Sequence, residues 1–391
     1  MSSRQTRGSR RGRGRAGSQV GTKPHAPILP AAPAADGDGA PQAGVDPDPE
    51  PAAIVVSYCF EAGPAGGPRY DATIRVTGRR RGVDARRSGV GDSFVRSEMV
   101  TGVAPGSGRV SVTSWVYGIS PGDWDVSAEL VGPERALQAN AGGRLPRARW
   151  SWRRWAVEPG PETPVPTRWA LAAPLAASPG VVPGSFTVLA AVALATAVGL
   201  QPAFLAHHGI DLGRALLASL AGVALGLAGA KAWYMALKGF SRQNLREGWS
   251  VDGFLVTAPL AASAIALLIG EPLGAFLDAV APGLFVAVAI GRIGCFLTGC
   301  CAGRTTCGLG IWSSDRRVGA RRIPTQLMES VVGAGLATAA ALVVEAHVAF
   351  GMGLVVVTTV LLYAMARQGL LRLRAESRPF SWRRAASAAR P

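Results

Sequence analysis

Arg292 stands inside an apolar stretch between Gly291 and Gly294, and Asp278 precedes it on the same stretch. A charge within a membrane span is costly, so it must find a partner or face a polar cavity. A guanidinium in such a place offers a planar fork of donors that fits a phosphate or a carboxylate. The plainer reading of Arg292 is a side chain that snorkels to the membrane interface. On one helix Asp278 and Arg292 lie on nearly the same face but roughly 21 Å apart, so they do not pair with each other. Gly291 and Gly294 leave room for a ligand or a second helix to approach. Gln326 and Glu329 are spaced to share one helical face, where Glu329 also fits as a carboxylate favoured by the helix dipole. Cys295, Cys300, Cys301 and Cys307 form C-x4-C-C-x5-C. Four thiolates can bind zinc, but structural sites use closer pairs, and a vicinal Cys300–Cys301 bridge is strained. Small packing residues are therefore the favoured reading, and no metal is expected. His207-His208 reads as a solvated turn rather than a ligand pair.

These residues need elements to hold them, and composition says what kind. Of 391 residues, 48% are hydrophobic and only 17% charged, yet 41 Lys+Arg against 25 Asp+Glu leave a net charge of +16. Ordinary globular chains carry about 25% charged residues. A chain both apolar and basic must segregate the two properties, as polytopic membrane proteins do. This excludes a wholly disordered chain, a collagen-like chain and an ordinary compact enzyme. Five cysteines are too few for a disulfide scaffold. Apolar spans fall at roughly 184–206, 212–237, 253–270, 273–299, 324–345 and a short 350–366, each near the length that crosses about 30 Å of hydrocarbon. Gly222 and Gly226 form a small-xxx-small pair for close helix packing. If the spans cross in turn, one membrane face collects Lys238, Arg242, Arg246, Arg304, Arg316, Arg317, Arg321, Arg322, Arg367, Arg372, Arg374 and Arg378. Two explanations stand together. Some of these arginines set topology with both termini inside, and others bind a phosphate at the mouth of a cavity.

Before the spans, residues 1–52 run from an Arg-rich start to a Pro/Ala-rich segment. They are too polar to offset their ordering entropy, so a disordered tail is expected. No apolar run follows the basic start, which argues against a cleaved signal. Residues 53–139 alternate apolar and polar between Gly/Pro turns, as in Thr73–Thr77 and Arg109–Tyr117, and read as antiparallel strands. An immunoglobulin-like sandwich is the candidate. Residues 140–183 read as a Pro/Arg/Trp linker, in which Trp150, Trp152, Trp155 and Trp169 either lie at a headgroup interface or pack on the β module. The expected fold is an all-α polytopic membrane protein of about six transmembrane helices behind a β-rich soluble module. Its membrane domain covers 184–378, and a polar tail follows at 379–391.

The pattern D-x3-P-x8-G-R-x-G-x-F-x2-G-x3-G-R, carried by Asp278, Pro282, Gly291, Arg292, Gly294, Phe296, Gly299, Gly303 and Arg304, resembles the signature of bacterial prolipoprotein diacylglyceryl transferases. The resemblance continues at Arg322 to Glu329 (RIPTQLME), similar to H-P-[ST]-Q-L-Y-E, and at Tyr363 to Arg367 (YAMAR), similar to Y-G-x-x-R. Residues 248–255, GWSVDGFL, align with G-x-S-F-H-G-G-L. The likeness covers about 184–378 and leaves the β module unexplained.

That resemblance implies an enzyme that transfers a diacylglyceryl group from phosphatidylglycerol to the lipobox cysteine of a preprolipoprotein. It implies a multi-pass protein of the bacterial inner (plasma) membrane. Its partners are phosphatidylglycerol, the preprolipoprotein signal peptide and the membrane, with no nucleic acid and no cofactor. Arg292, Arg367, Asp252 and Glu329 are the expected catalytic residues. Arg292, Arg304, Arg322, Gln326, Gly291, Gly294, Gly299 and Gly303 are expected to bind phosphatidylglycerol. The chain departs from the pattern at Asp252 (for His), Cys295 and Thr298 (for Asn), Cys300 (for Glu), Ile323 (for His) and Leu371 (for Glu). The alternative is a diverged homologue without that activity, serving as a phospholipid-binding scaffold for the β module. The family's site is expected to open toward the outer leaflet, whereas the charge bias places the same face inside.

Overall fold

Alternating apolar residues build two facing sheets in the computed structural model, which describes residues 52–84, 89, 91–140, 143–207, 210–241, 245, 248–348 and 351–375. Residues 1–51 of the tail expected at 1–52, and the tail expected at 379–391, lie outside the described residues together with Arg242, Arg246, Arg378 and His208, while Ala52 already belongs to the first strand. The strands are β1 (Ala52–Glu61), β2 (Tyr70–Arg80), β3 (Ser93–Val103), β4 (Arg109–Ile119), β5 (Asp123–Leu130), β6 (Arg144–Leu145), β7 (Arg147–Ser151), β8 (Ala156–Gly160), β9 (Val165–Pro166) and β10 (Arg168–Trp169). Two further strands, β11 (Ile311–Ser314) and β12 (Val318–Arg322), come from far later in the chain. One sheet runs β11-β12-β4-β1-β7-β8 with β10 beside β1; the other runs β3-β2-β5-β6 with β9 beside β5. Ile54, Val56, Tyr58 and Phe60 of β1 and Ile74 and Val76 of β2 meet Val110, Val112 and Val116 of β4 and Trp124 of β5 in one core. The even spacing along β1 and β2 is the period-two signal of a buried sheet face.

The interval expected to be a linker, 140–183, is instead largely part of this module. Its strands are two to five residues long and its Pro, Arg and Trp content hides their alternation. A 3-10 helix at Ala170–Leu175 follows, and Ala170 and Ala173 cover Ala53 on the outer face of β1.

Six apolar helices follow: α1 (Ser185–His207), α2 (Leu212–Lys238), α3 (Val251–Leu268), α4 (Leu273–Thr298), α5 (Thr325–Glu345) and α6 (Leu354–Leu371). Among the described residues five of them are long and apolar enough to cross a membrane, and α3 adds an apolar stretch over Gly253–Leu268. The weak span expected at 350–366 thus becomes a full helix shifted toward its C-terminus, because Gly353 turns at φ +73° immediately before it. Small residues bring helix backbones together. A Cβ on Gly222 or Gly226 of α2 would strike Ala258 or Ala262 of α3, and one on Gly283 of α4 would strike Ala197 of α1. Without a hydrophobic drive between lipid-facing helices, such close packing is what holds them.

Asp278 is fully buried in α4, and its carboxylate anchors α6. It accepts from the backbone N–H groups of Gly351 (3.1 Å), Gly353 (3.0 Å), Val355 (3.0 Å) and Val356 (3.2 Å). The positive end of the α6 dipole thereby meets a negative charge.

The loop between α4 and α5 joins the two halves of the protein. Its hairpin β11–β12 extends the module's first sheet, with Val318 opposite Val112 and Gly319 opposite Ser111. Trp312 donates from Nε1 to Arg109 O at 3.0 Å, and Trp155 donates to Trp312 O at 3.0 Å. The Trp155 ring stacks on Phe296 of α4 at 5.9 Å, and Trp150 packs on Trp312 at 4.6 Å. Of the two sequence-based readings, Trp150 and Trp155 take the packed one, while Trp152 and Trp169 stay half exposed. Arg317 pairs with the buried Glu98 of β3, which also takes Arg96 (2.7 Å) and Ser114 (2.7 Å). Burial alone would raise the Glu98 carboxyl. The hydrogen bonds from Arg317 and Ser114 and the charges of Arg317 and Arg96 outweigh it and hold the group below its ordinary value.

Asp278→Ala leaves four backbone donors without their acceptor and is expected to lower stability by about 2 kcal/mol. Asp278→Asn, which keeps one oxygen, costs less; thermal unfolding in detergent reads both. The Glu98 clamp is expected to be fully present above the unfolded carboxyl value of about 4.3 and lost as pH falls through the lowered folded value. Protease cleavage of the 311–322 hairpin, followed against pH, checks the sign: cleavage must rise on acidification, and Glu98→Gln must remove that rise.

Candidate functional site

Glu329 lies on the first turns of α5, fully buried, where the helix begins behind Pro324. Proline suits a helix start because no N–H is needed there. Three guanidiniums converge on this one carboxylate. Arg292 of α4 reaches Oε1 at 2.9 Å, Arg367 of α6 reaches Oε1 at 3.2 Å, and Arg374 reaches Oε2 at 2.7 Å. Tyr363 donates its hydroxyl to Oε1 at 2.8 Å. It also receives Arg292 (3.5 Å) and Arg367 (3.3 Å). Tyr363 and Arg367 are one turn apart on α6 and so face the same way. The Tyr363 ring is fixed by an edge contact with Phe285 of α4 at 5.8 Å.

The charge balance leaves three guanidiniums against one carboxylate. With four donors already on its oxygens, Glu329 is a clamp that orients arginines, and it has little capacity left to take a proton from a substrate. The excess positive charge is suited to an anion of fixed geometry, above all a phosphate.

The turn after α4 supplies the surroundings. Gly299 ends the helix in the left-handed region at φ +74°. Cys300 O accepts from Gln326 Nε2 at 2.8 Å, and Cys301 O accepts from Thr325 Oγ1 at 3.4 Å. Arg304 N bonds Leu373 O at 2.9 Å and Ala375 N bonds Ala302 O at 3.0 Å, so the chain beyond α6 is laid against this turn. Arg322 is buried, with Nη1 on Gly303 O (3.2 Å) and Nη2 on Asp315 (2.8 Å). Among the described residues, three buried polar atoms around the 300–304 turn have no partner: Arg322 Nε, Arg374 Nε and Gln326 Oε1. Native proteins rarely leave such atoms unmatched without a reason.

The sequence-predicted residues separate into groups. Arg292, Arg367 and Glu329 meet directly. Gln326 lies one turn from Glu329 and points its amide at Cys300. Arg304 is exposed and bonds Arg374 O (3.2 Å), and Arg322 braces the hairpin rather than reaching Glu329. Gly294, Gly299 and Gly303 are occupied in packing: a Cβ there would meet Leu189, Ser314 O and Ile323 O, respectively. Gly291 faces open space. Asp252 is the second residue of α3, and its side chain lies outside the described residues. The departures from the expected pattern have local partners. Thr298 bonds Ser185 Oγ (2.7 Å) and Phe186 N (2.9 Å), tying α4 to the start of α1. Cys300 N bonds Cys295 O at 3.0 Å in the helix cap.

A model of the prolipoprotein diacylglyceryl transferase family matches residues 180–388, more than half of the chain. The chain belongs to that family. Comparison with curated proteins and with solved structures finds no match. As a transferase-family protein with multiple apolar helices, it carries the family domain on its membrane half, and the sheets β1–β10 precede the matched region.

Arg374 was not among the expected site residues. It lies in a run of arginines after α6 that resembles a topology signal, and only the pairing of 302–304 with 373–375 carries it to Glu329. Tyr363 was visible as part of the YAMAR segment, four residues before Arg367, a spacing that already places both on one helical face.

Glu329→Ala leaves three guanidiniums facing one another and is expected to cost about 3–5 kcal/mol. Glu329→Gln retains the acceptor oxygen and costs less. Thermal unfolding in detergent ranks the two.

Proposed function

We propose that this transferase moves the diacylglyceryl group of phosphatidylglycerol onto the lipobox cysteine thiol of a preprolipoprotein, at the bacterial plasma membrane. The observation that carries this reading is the convergence of Arg292, Arg367 and Arg374 on the buried Glu329 between α4, α5 and α6. The reaction breaks the bond between the glyceryl carbon and a phosphate oxygen. Negative charge grows on the departing glycerol phosphate, and donors held in advance stabilise it most. The clamp fixes guanidiniums in this way, so little reorganisation is needed when the charge appears. The unmatched Gln326 Oε1 suits a hydroxyl donor such as those of a glycerol headgroup. The Ala/Val/Leu/Gly-rich helices provide apolar walls for acyl chains.

The acceptor thiol must lose its proton before attack, because the thiolate is the nucleophile. Asp252 is assigned the role of proton acceptor, by its place in the GWSVDGFL segment. Arg304, near the outer edge of the same turn, is assigned to the headgroup, and Arg322 to holding that turn in place. The second reading is a phospholipid-binding scaffold, favoured by the direct fusion of β12 to the module's sheet.

Mass spectrometry of a model lipoprotein decides between them, in cells whose own transferase is depleted. A diacylglyceryl-modified cysteine is expected with this chain and not with Arg292→Ala, and Arg374→Ala is expected to lower the modified fraction by about 10-fold or more. An unmodified lipoprotein beside a folded, membrane-inserted wild type would establish the scaffold.

A further inference from the structure

The β module has no part in the reaction above, yet one of its loops grips the segment that carries Arg304. Arg69, in the loop between β1 and β2, lays its guanidinium fork on Thr305. Nη1 donates to Thr305 Oγ1 at 2.5 Å, and Nη2 donates to Thr305 O at 2.7 Å. Two bonds from one planar fork fix direction as well as distance. The Thr305 hydroxyl carries the contact on to β3, donating to Gly102 O at 2.9 Å. Gly102 N in turn donates to Asp71 Oδ1 of β2 at 2.8 Å, so the grip is anchored in the second sheet. The hairpin β11–β12 ties the same connection to the first sheet. From Thr305 the bonds run into the arginine cluster. Thr305 pairs with Arg322, and Gly303 pairs with Arg374, both as antiparallel bridges. Arg304 N bonds Leu373 O at 2.9 Å, and Arg304 Nε bonds Arg374 O at 3.2 Å. Arg374 then reaches Glu329 Oε2 at 2.7 Å.

We propose that Arg69 is a positioning residue for the transfer reaction: by pinning Thr305 to the β module it fixes the 303–305 segment, and through it Arg304 and Arg374, where the lipid phosphate is held. This inference rests on the phospholipid reading of the arginine cluster. Arg69 touches no substrate in this role, and it neither gives nor takes a proton. It holds two oxygens of one residue, and its effect is on where the neighbouring arginines stand. Such placement matters because a shift of about 1 Å at a reacting centre can cost about 100-fold in rate. The β module is thereby a working part of the transferase, reaching the site through a single side chain.

The full chain in nanodiscs containing phosphatidylglycerol, with a synthetic lipobox-cysteine peptide as acceptor, tests this. Arg69→Ala is expected to lower kcat by about 10-fold, while the KM for the peptide and the unfolding temperature stay as in the wild type. Arg69→Lys, a point donor in place of a fork, restores part of the rate. Arg75→Ala, at an exposed arginine of the same module paired with Glu129, changes neither quantity. Hydrogen exchange gives a second reading that needs no turnover. The amides of Arg304 and Thr306, bonded to Leu373 O and Arg321 O, are expected to exchange about 10-fold faster in Arg69→Ala. The amides of Val355 and Val356, held by Asp278, keep their wild-type rates. Unchanged exchange at Arg304 and Thr306, an unchanged kcat, an equal fall with Arg75→Ala, or a rate loss that only follows a lowered unfolding temperature overturns the inference. A wild type that transfers nothing to the peptide sinks the transferase reading by itself, before any variant is compared. An active wild type beside an equally active Arg69→Ala sinks the positioning role alone.

Discussion

A fully buried carboxylate that must hold three guanidiniums sets the terms for the membrane half of this protein. Like charges about 5 Å apart repel by about 3 kcal/mol at an effective dielectric of about 20, and more where water is scarce. Arg292, Arg367 and Arg374 come from different places in the chain and are tolerable together because Glu329 lies among them. The same interaction fixes α4, α5 and the end of α6 relative to one another. It also leaves the site cationic overall, so a stable framework and an anion-receptive surface arise from one cluster. Tyr363 shares the carboxylate and spaces two of the arginines, which keeps the forks apart.

The β module is structurally continuous with this site. The hairpin β11–β12 is donated by the α4–α5 connection, the same connection that carries Cys300, Cys301 and Arg304. One end of that connection is an antiparallel edge of a twelve-strand sandwich, and the other is the helix cap at Gly299. Trp155 on Phe296, Trp150 on Trp312 and Arg317 on Glu98 close the junction from three sides. Any rearrangement of the 300–304 turn must therefore strain either the sheet or the helix cap. A turn so braced holds its donors in place in advance, which is what fixed donors need in order to stabilise developing charge.

The departures from the family pattern fit the same logic. Thr298 is used to tie α4 to α1, and Cys300 is used in the helix cap. Where one amide and a carboxylate stand in the pattern, the thiols of Cys295 and Cys300 stand here, and the second amide is replaced by the hydroxyl of Thr298.

Much of this was readable in advance. Hydropathy located the helices because lipid demands long apolar runs, and alternation located β2 and β4 because a sheet with a buried core face repeats every two residues. Spacing along a single helix placed Gln326 with Glu329. What the sequence did not carry was any contact between distant segments. The strands within 140–183 were too short for periodicity to register. The hairpin at 311–322 reads as a basic loop until β4 is beside it. Arg374 reads as a topology charge until residues 302–304 pair with 373–375. Asp278 reads as an intramembrane charge of unknown use until the start of α6 is brought to it. Local pattern determined which segments are helix, strand and basic loop, since those follow from periodicity and solvent. Only the tertiary structure decided which charges meet, because one buried carboxylate chooses its partners by the packing of helices that the linear order leaves free.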